Sequence, residues 1–245
     1  MPHTLIRGHL ISMRITYILL ASLLLLSSSV NAQEHVLLDE SFNEDDLPKS
    51  WKPGGRKGAF SVLDNALRAV AAPGDNHGPS IGIPIDAHDV ALDFDFKFVK
   101  PGYLLCLIDG DSQFSGQAHL LRFAVTKKQV QLMQDRGDPA SKIAQKKLRD
   151  QNGGKRIRAT KAQLADDSFY RIEPIAKRAA TAIDGDWHHV SIVLKGNRVI
   201  AKIDNKELSG TGTVLDVKKS KLVFLVSQTA DIRIDNVKLS EFKKR

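Results

Sequence analysis

The chain has 245 residues, 42% hydrophobic and 6% aromatic, with a formal net charge of +8 and one cysteine. One cysteine excludes an internal disulfide framework, and a chain of this size buries enough surface to stand without one. Arg7 and Arg14 fall in a leading segment, which leaves +6; Lys142 to Lys161 alone holds eight basic residues and Asp150, a balance of +7, so the remainder is near neutral at −1. Charge gathered into one segment rather than spread over a face argues against nucleic acid as partner.

Arg14, the apolar run Ile15 to Leu26 and the small-residue end at Ala32 read as a secretory signal peptide over residues 1–32, cut before Gln33. The run is short for a membrane span. The expectation is therefore an exported protein, periplasmic or extracellular, whose 213 remaining residues (33–245) form a single all-β domain. Oligomeric state is not legible.

Val36 to Phe42 reads as a first strand, followed by an acidic turn, Trp51 and a glycine-rich stretch, Pro53 to Gly58. Phe60 to Leu63 and Ala66 to Val70 flank Asp64-Asn65, a two-residue hairpin turn. Ile81 to Ile85 reads as an edge-like strand because Pro84 cannot donate to a central ladder. Val90 to Phe98 alternates Leu92, Phe94, Phe96 and Phe98 with Asp93, Asp95 and Lys97, one face for a core and one for water. Four large apolar groups on one strand face need an opposing layer, so a second sheet is expected. Tyr103 to Ile108 is an apolar strand whose Cys106 is a small buried hydrophobe rather than a nucleophile. His119 to Thr126 and Gln129 to Met133 make a hairpin around Lys127-Lys128.

Strand rhythm stops at Asp135. Asp138 as N-cap, Pro139 at the first helical position and the run to Arg149 predict one short helix, closed by Asn152-Gly153-Gly154. Residues 136–182 read as an insertion of that helix and a basic loop. Strands return with Asp186 to Leu194, Arg198 to Asp204 across Gly196-Asn197, Lys221 to Val226, and Asp231 to Phe242. The fold class expected is an all-β, two-sheet sandwich with a short helical basic insertion.

The order Asp39 to Phe42, Trp51, Phe60 to Leu67, Leu92 to Lys97, His119 to Arg122, Trp187 to Val190, Ala201 to Asp204 and Ile234 to Leu239 resembles the 3-keto-disaccharide hydrolase-like domains of the concanavalin A-like lectin/glucanase superfamily, LamG-type jelly rolls. The resemblance covers Leu38 to Met133 and Ile183 to Phe242. It implies a jelly roll, adjacent first and last strands, and a sugar-related ligand on a concave sheet, with hydrolysis of a glycosidic bond as an activity. The paired-glutamate strand of the jelly-roll glucanases is absent.

The expected catalytic pair is Asp93 and Asp95, about 6.5 Å apart along their strand, near the lower limit for inverting hydrolysis. They can equally accept sugar hydroxyls or be ordinary solvated strand residues. Arg122, Lys97, Trp51 and Tyr103 are the expected substrate-binding residues, Arg122 as a donor beside Asp93 or Asp95 and one of the two aromatics as a sugar platform. Parity sends His119 and Arg122 to opposite faces, and adjacent His188 and His189 likewise, which rules out joint zinc ligation by the latter pair. Trp187 reads as core or rim packing. For a structural calcium the candidates are Asp109 with Asp111, or Asp39, Glu40 and Asp235. The functional expectation is a carbohydrate-active protein whose partner is an oligosaccharide or polysaccharide, a hydrolase of a keto-disaccharide or related glycoside. The alternatives are a non-catalytic glycan-binding module, or an envelope or matrix protein binding acidic polysaccharide or anionic surfaces through Lys142 to Lys161.

Overall fold

A computed structural model describes residues 34–54, 59–71, 78–111, 117–155, 157–180, 183, 185–227 and 229–242. The expected export segment lies outside the described residues. In chain order the strands begin with β1 (Glu34–Glu40), β2 (Lys52–Gly54), β3 (Phe60–Val62), β4 (Leu67–Val70), β5 (Ser80–Ala87), β6 (Val90–Lys100), β7 (Tyr103–Asp111), β8 (Gln117–Thr126) and β9 (Gln129–Arg136). Helices α1 (Pro139–Gln151) and α2 (Lys161–Ala165) follow, then β10 (Arg171–Ala179), β11 (His188–Lys195), β12 (Arg198–Ile203), β13 (Lys206–Thr211), β14 (Lys219–Val226) and β15 (Asp231–Phe242).

The strands form two antiparallel sheets, a jelly-roll sandwich. Sheet A runs β13-β12-β11-β6-β15-β4-β3, and sheet B runs β10-β9-β8-β7-β14-β5-β2. β15 takes β6 along one edge; along the other it pairs β4 over Asp231 to Ile234 and β1 over Val237 to Phe242. The first and last strands are thus adjacent, as the resemblance implied.

Alternation in β6 builds the core. Leu92, Phe94, Phe96 and Phe98 are buried, and Phe94 meets Phe224 of β14 at 5.0 Å and Phe123 of β8 at 6.5 Å, both edge-on. Leu104, Cys106 and Ile108 of β7 complete the facing layer. Such tilted ring pairs add about 0.5–1.5 kcal/mol each beyond the area they bury. The β3–β4 turn holds Asp64 at φ 55° and Asn65 at φ 54°, the left-handed pair a two-residue hairpin needs. β2 covers β5 only from Ser80 to Gly82, so Pro84 lies beyond its reach, where no N–H is required on that edge.

Four features depart from the sequence reading. The start of the glycine-rich stretch is strand β2, paired to β5. Residues 171–179, assigned to the insertion, are strand β10, paired to β9. A second helix, α2, opens with a Thr160–Gln163 capping box, and β13 extends sheet A beyond β12. The connection between β9 and β10 is therefore shorter than expected. It leaves β9 through Gly137 at φ +96°, where a Cβ would lie 2.4 Å from the Tyr170 backbone.

Candidate functional site

The outer face of sheet B carries a depression of about 270 Å³. β7, β8 and β9 pair so that Tyr103, Leu105 and Leu107 lie beside Thr126, Ala124 and Arg122, and these beside Gln129, Gln131 and Met133. Tyr103, Leu105, Met133 and Ile172 give the depression its apolar lining, and Arg122, Thr126, Gln129 and Gln131 its polar groups. The apolar floor continues through Leu107 and Val223, both largely buried. Outward-facing aliphatic residues beside a few convergent polar groups are the composition of a ligand site.

Arg122 is fixed from below. Its Nε and Nη2 donate to Asp135 Oδ1 and Oδ2 at 2.6 and 2.9 Å, in the two-pronged geometry that suits guanidinium and carboxylate. The Tyr170 hydroxyl donates to Asp135 at 3.0 Å, and Lys142 Nζ stands 3.4 Å away. The Asp135 side chain is only 2% exposed. Burial alone would raise its pKa, but the hydrogen bonds and charge of Arg122, with Lys142, hold it below the usual carboxylate range. Burial and the Asp135 charge push the Tyr170 phenol up, so it stays a hydrogen-bond donor. Burial works against the Arg122 cation, yet Asp135 more than restores it. The result is a permanently charged guanidinium whose Nη1 has no hydrogen-bond partner among the described residues. An Asp135 already receiving these donors has no proton to give, so this network positions rather than transfers.

Beside it, His119 Nδ1 meets Asp109 at 2.6 Å, which leaves Nε2 as the one nitrogen for other contacts. Parity counting placed His119 and Arg122 on opposite faces. The structure puts them on the same face, because Ile108 pairs with Leu121 and Asp109 with His119, leaving Leu120 as an extra residue in a β-bulge.

The sequence-predicted residues are divided between three places. Arg122 and Tyr103 share the sheet B depression. Asp93, Asp95 and Lys97 lie on the outer face of sheet A, so Arg122 is not beside either aspartate. The two sheets and the core between them separate these groups. Trp51 is in neither place: it is 2% exposed, 5.4 Å from Phe42 and stacked 6.0 Å from Phe224. A sugar cannot reach it, so it is a core residue and Tyr103 is the aromatic available to the depression. Trp187, expected as core or rim packing, is at the rim of sheet A and 46% exposed, with Lys97 Nζ 5.8 Å from its ring centroid.

On sheet A, His189 bridges the aspartates, with Nδ1 at 2.8 Å from Asp95 and Nε2 at 3.6 Å from Asp93. Asn236 donates to the second oxygen of Asp95 at 2.8 Å from a left-handed backbone, φ 51°, inside the bulge that separates Asp235 from Lys238. Burial, with the nearby Asp95 and Glu40 carboxylates, pushes Asp235 up. His188 points the other way and is buried. Neither Asp93 nor Asp95 lines the sheet B depression. A second space, about 20 Å³ among Phe123, Ile183 and Ala201, is of water size only.

Among the described residues, one trio of metal-type side chains converges: His88, Asp89 and Asp216. Its imidazole faces two separate carboxylates, at 3.2 and 3.6 Å, and Asp89 also accepts the Gly196 N–H at 2.9 Å. That is a polar clasp on a turn. Of the expected calcium sets, Asp39, Glu40 and Asp235 do not gather in this way, and Glu40 accepts the Phe42 N–H at 2.9 Å. In the other set, Asp109 is bound to His119. The Asp111 side chain lies outside the described residues. Asp135, Tyr170 and the Asp109–His119 pair were not singled out by sequence.

No protein-family model and no curated protein matches the chain. Solved structures do. The chain is similar to the laminarinase from Rhodothermus marinus (TM-score 0.57, 9% identity, covering 86% of this chain and 98% of that one). It is also similar to porphyranase B from Zobellia galactanivorans (TM-score 0.56, 9% identity, 85% and 94%). A third is SCLam, a non-specific endo-β-1,3(4)-glucanase from family GH16 (TM-score 0.54, 10% identity, 86% and 92%). The likeness is one of fold.

Proposed function

We propose that this is an exported carbohydrate-active jelly-roll protein that binds an oligosaccharide in the depression on sheet B. The observation that carries the reading is the pairing of an apolar floor with Arg122, Gln129, Gln131 and Thr126 around about 270 Å³. A sugar ring offers C–H faces for Tyr103 and Leu105 and a rim of hydroxyls for the amides and the guanidinium. Fold neighbours named laminarinase, porphyranase and endo-β-1,3(4)-glucanase support a carbohydrate as ligand. The resemblance carried by Leu92 to Lys97 and Trp187 to Val190 makes a keto-disaccharide the first ligand to try.

A second reading, turnover by Asp93 and Asp95, is favoured by the imidazole of His189 set between them. A glycan and keto-disaccharide panel, scored for both binding and product release, separates the two. Binding that Tyr103→Ala and Gln131→Ala weaken at least tenfold, with no product, supports the binding module. Product release abolished by Asp95→Asn and untouched by Gln131→Ala replaces it with hydrolysis on sheet A.

A further inference from the structure

The connection between β9 and β10 has its polarity turned outside in. Helix α1 directs Ser141, Lys142, Gln145 and Arg149 toward the sandwich, and none of its residues is buried. Its base is pinned by polar contacts: Asp138 caps the Ser141 N–H at 2.6 Å, Ser141 Oγ accepts from the Tyr170 N–H at 2.9 Å, and Gln145 donates to the Tyr170 carbonyl at 2.7 Å. Lys142 also lies 4.9 Å from the Tyr170 ring centroid. Ile143 is turned outward at 69% exposed, and Leu148, 49% exposed, lies about 140° around the helix from it, on the other side of Ala144; Ile157 and Leu164 farther along are exposed by half or more. These are four of the ten large exposed hydrophobic residues among those described.

Between them stand Lys146, Lys147, Lys155, Arg158 and Lys161, all exposed, with no carboxylate in ion-pair reach among the described residues. Cations alone would suit any polyanion. Cations interleaved with bare aliphatic side chains suit a surface that offers negative charge and hydrocarbon together. We propose that this arm docks the protein peripherally on an anionic lipid bilayer, with Ile143 and Leu148 entering the headgroup boundary and the lysines meeting lipid phosphates. An acidic polysaccharide supplies the charge but no hydrocarbon phase for the aliphatic residues.

The test is co-sedimentation of the chain from Gln33 onward, which carries the whole sandwich, with vesicles of phosphatidylglycerol and phosphatidylcholine in equal parts. Pure phosphatidylcholine vesicles and soluble polygalacturonate serve as comparisons. Sedimentation with the anionic vesicles is expected, reduced about 30-fold by Lys146→Gln with Lys147→Gln. Ile143→Ser with Leu148→Ser should also reduce it several-fold at unchanged charge. Vesicle binding indifferent to the serine pair, or polygalacturonate bound as tightly by the serine pair as by the parent chain, would overturn the proposal in favour of a polysaccharide. Absence of sedimentation would overturn it outright. All four side chains are exposed, so unchanged melting temperatures exclude misfolding. Gln131→Ala should leave vesicle binding intact, which keeps this test separate from the glycan reading.

Discussion

Replacing Asp135 with Asn removes one charge from the most enclosed ion pair of sheet B. Asp135 is 2% exposed and Arg122 14%, so the guanidinium left behind cannot regain its water. Its remaining described partner is the Tyr170 hydroxyl, at a long 3.5 Å. Breaking a buried pair from one side costs about 3–5 kcal/mol. For a domain of this size each kcal/mol lowers Tm by about 2–4 °C, which gives a fall of roughly 6–20 °C. Urea unfolding followed by tryptophan fluorescence at pH 7 measures the loss. Arg122→Met combined with Asp135→Leu should recover most of it, because no buried charge is then stranded: Lys142, 42% exposed, keeps its access to water. The pH dependence has a definite sign. Asp135 is held below its unfolded pKa, so across that window the unfolded chain binds more protons and stability rises with pH. The contribution is complete above the ordinary carboxyl value and disappears as pH falls through the folded one. The gap between wild type and Asp135→Asn should therefore be full at pH 7 and shrink below about pH 4. A loss under about 1 kcal/mol, the range of an exposed pair, refutes the reasoning, as does a gap that ignores pH.

The two tryptophans should behave oppositely. Trp51→Ala is expected to cost about 3–5 kcal/mol, and Trp187→Ala to stay within about 0.5 kcal/mol; comparable losses in urea titrations would count against the placement of either ring. Cys106 is fully buried, and burial pushes its thiol up. An aromatic disulfide reagent should label it only as the chain unfolds, and rapid labelling of the native protein would contradict its position between the sheets. Gly110 leaves no room for a methyl group: a Cβ would lie 2.3 Å from the Lys218 carbonyl and 2.6 Å from Leu120 Cδ1. Gly110→Ala should lower stability by about 1–3 kcal/mol in calorimetry, and a neutral result would mean that β7 approaches its neighbours less closely.

What could be read from the chain was whatever has one side in the core or a capped first turn. β6 declared itself because every second residue is buried, and α1 because Asp138 and Pro139 mark its first turn. The three strands that went unread, β2, β10 and β13, are outer edges of their sheets and contain no buried residue. Without a core face there is no alternation to detect, and Pro174 with Lys177 and Arg178 looks like loop. Aspartates on β6 were legible as outward-facing, but alternation does not say which sheet offers a hollow. Trp51 sits in a segment too short for periodicity, so core and platform looked alike. The site on sheet B depends on pairings that local patterns do not carry. Asp135 meets Tyr170 from the far side of the helical connection, and one extra residue at Leu120 reverses the parity that links His119 to Arg122. With Lys142 committed to Asp135 and Tyr170, the basic segment is also not uniformly solvated.

The central claim is a location, so the most direct measurement is amide chemical-shift mapping during titration with the tightest-binding glycan of the panel. Shifts should concentrate in residues 103–109 and 119–136, the strands under Tyr103, Arg122 and Gln131. Shifts concentrated instead in residues 90–98 and 187–191, around Asp93, Asp95 and Trp187, would contradict the account and move the site to sheet A.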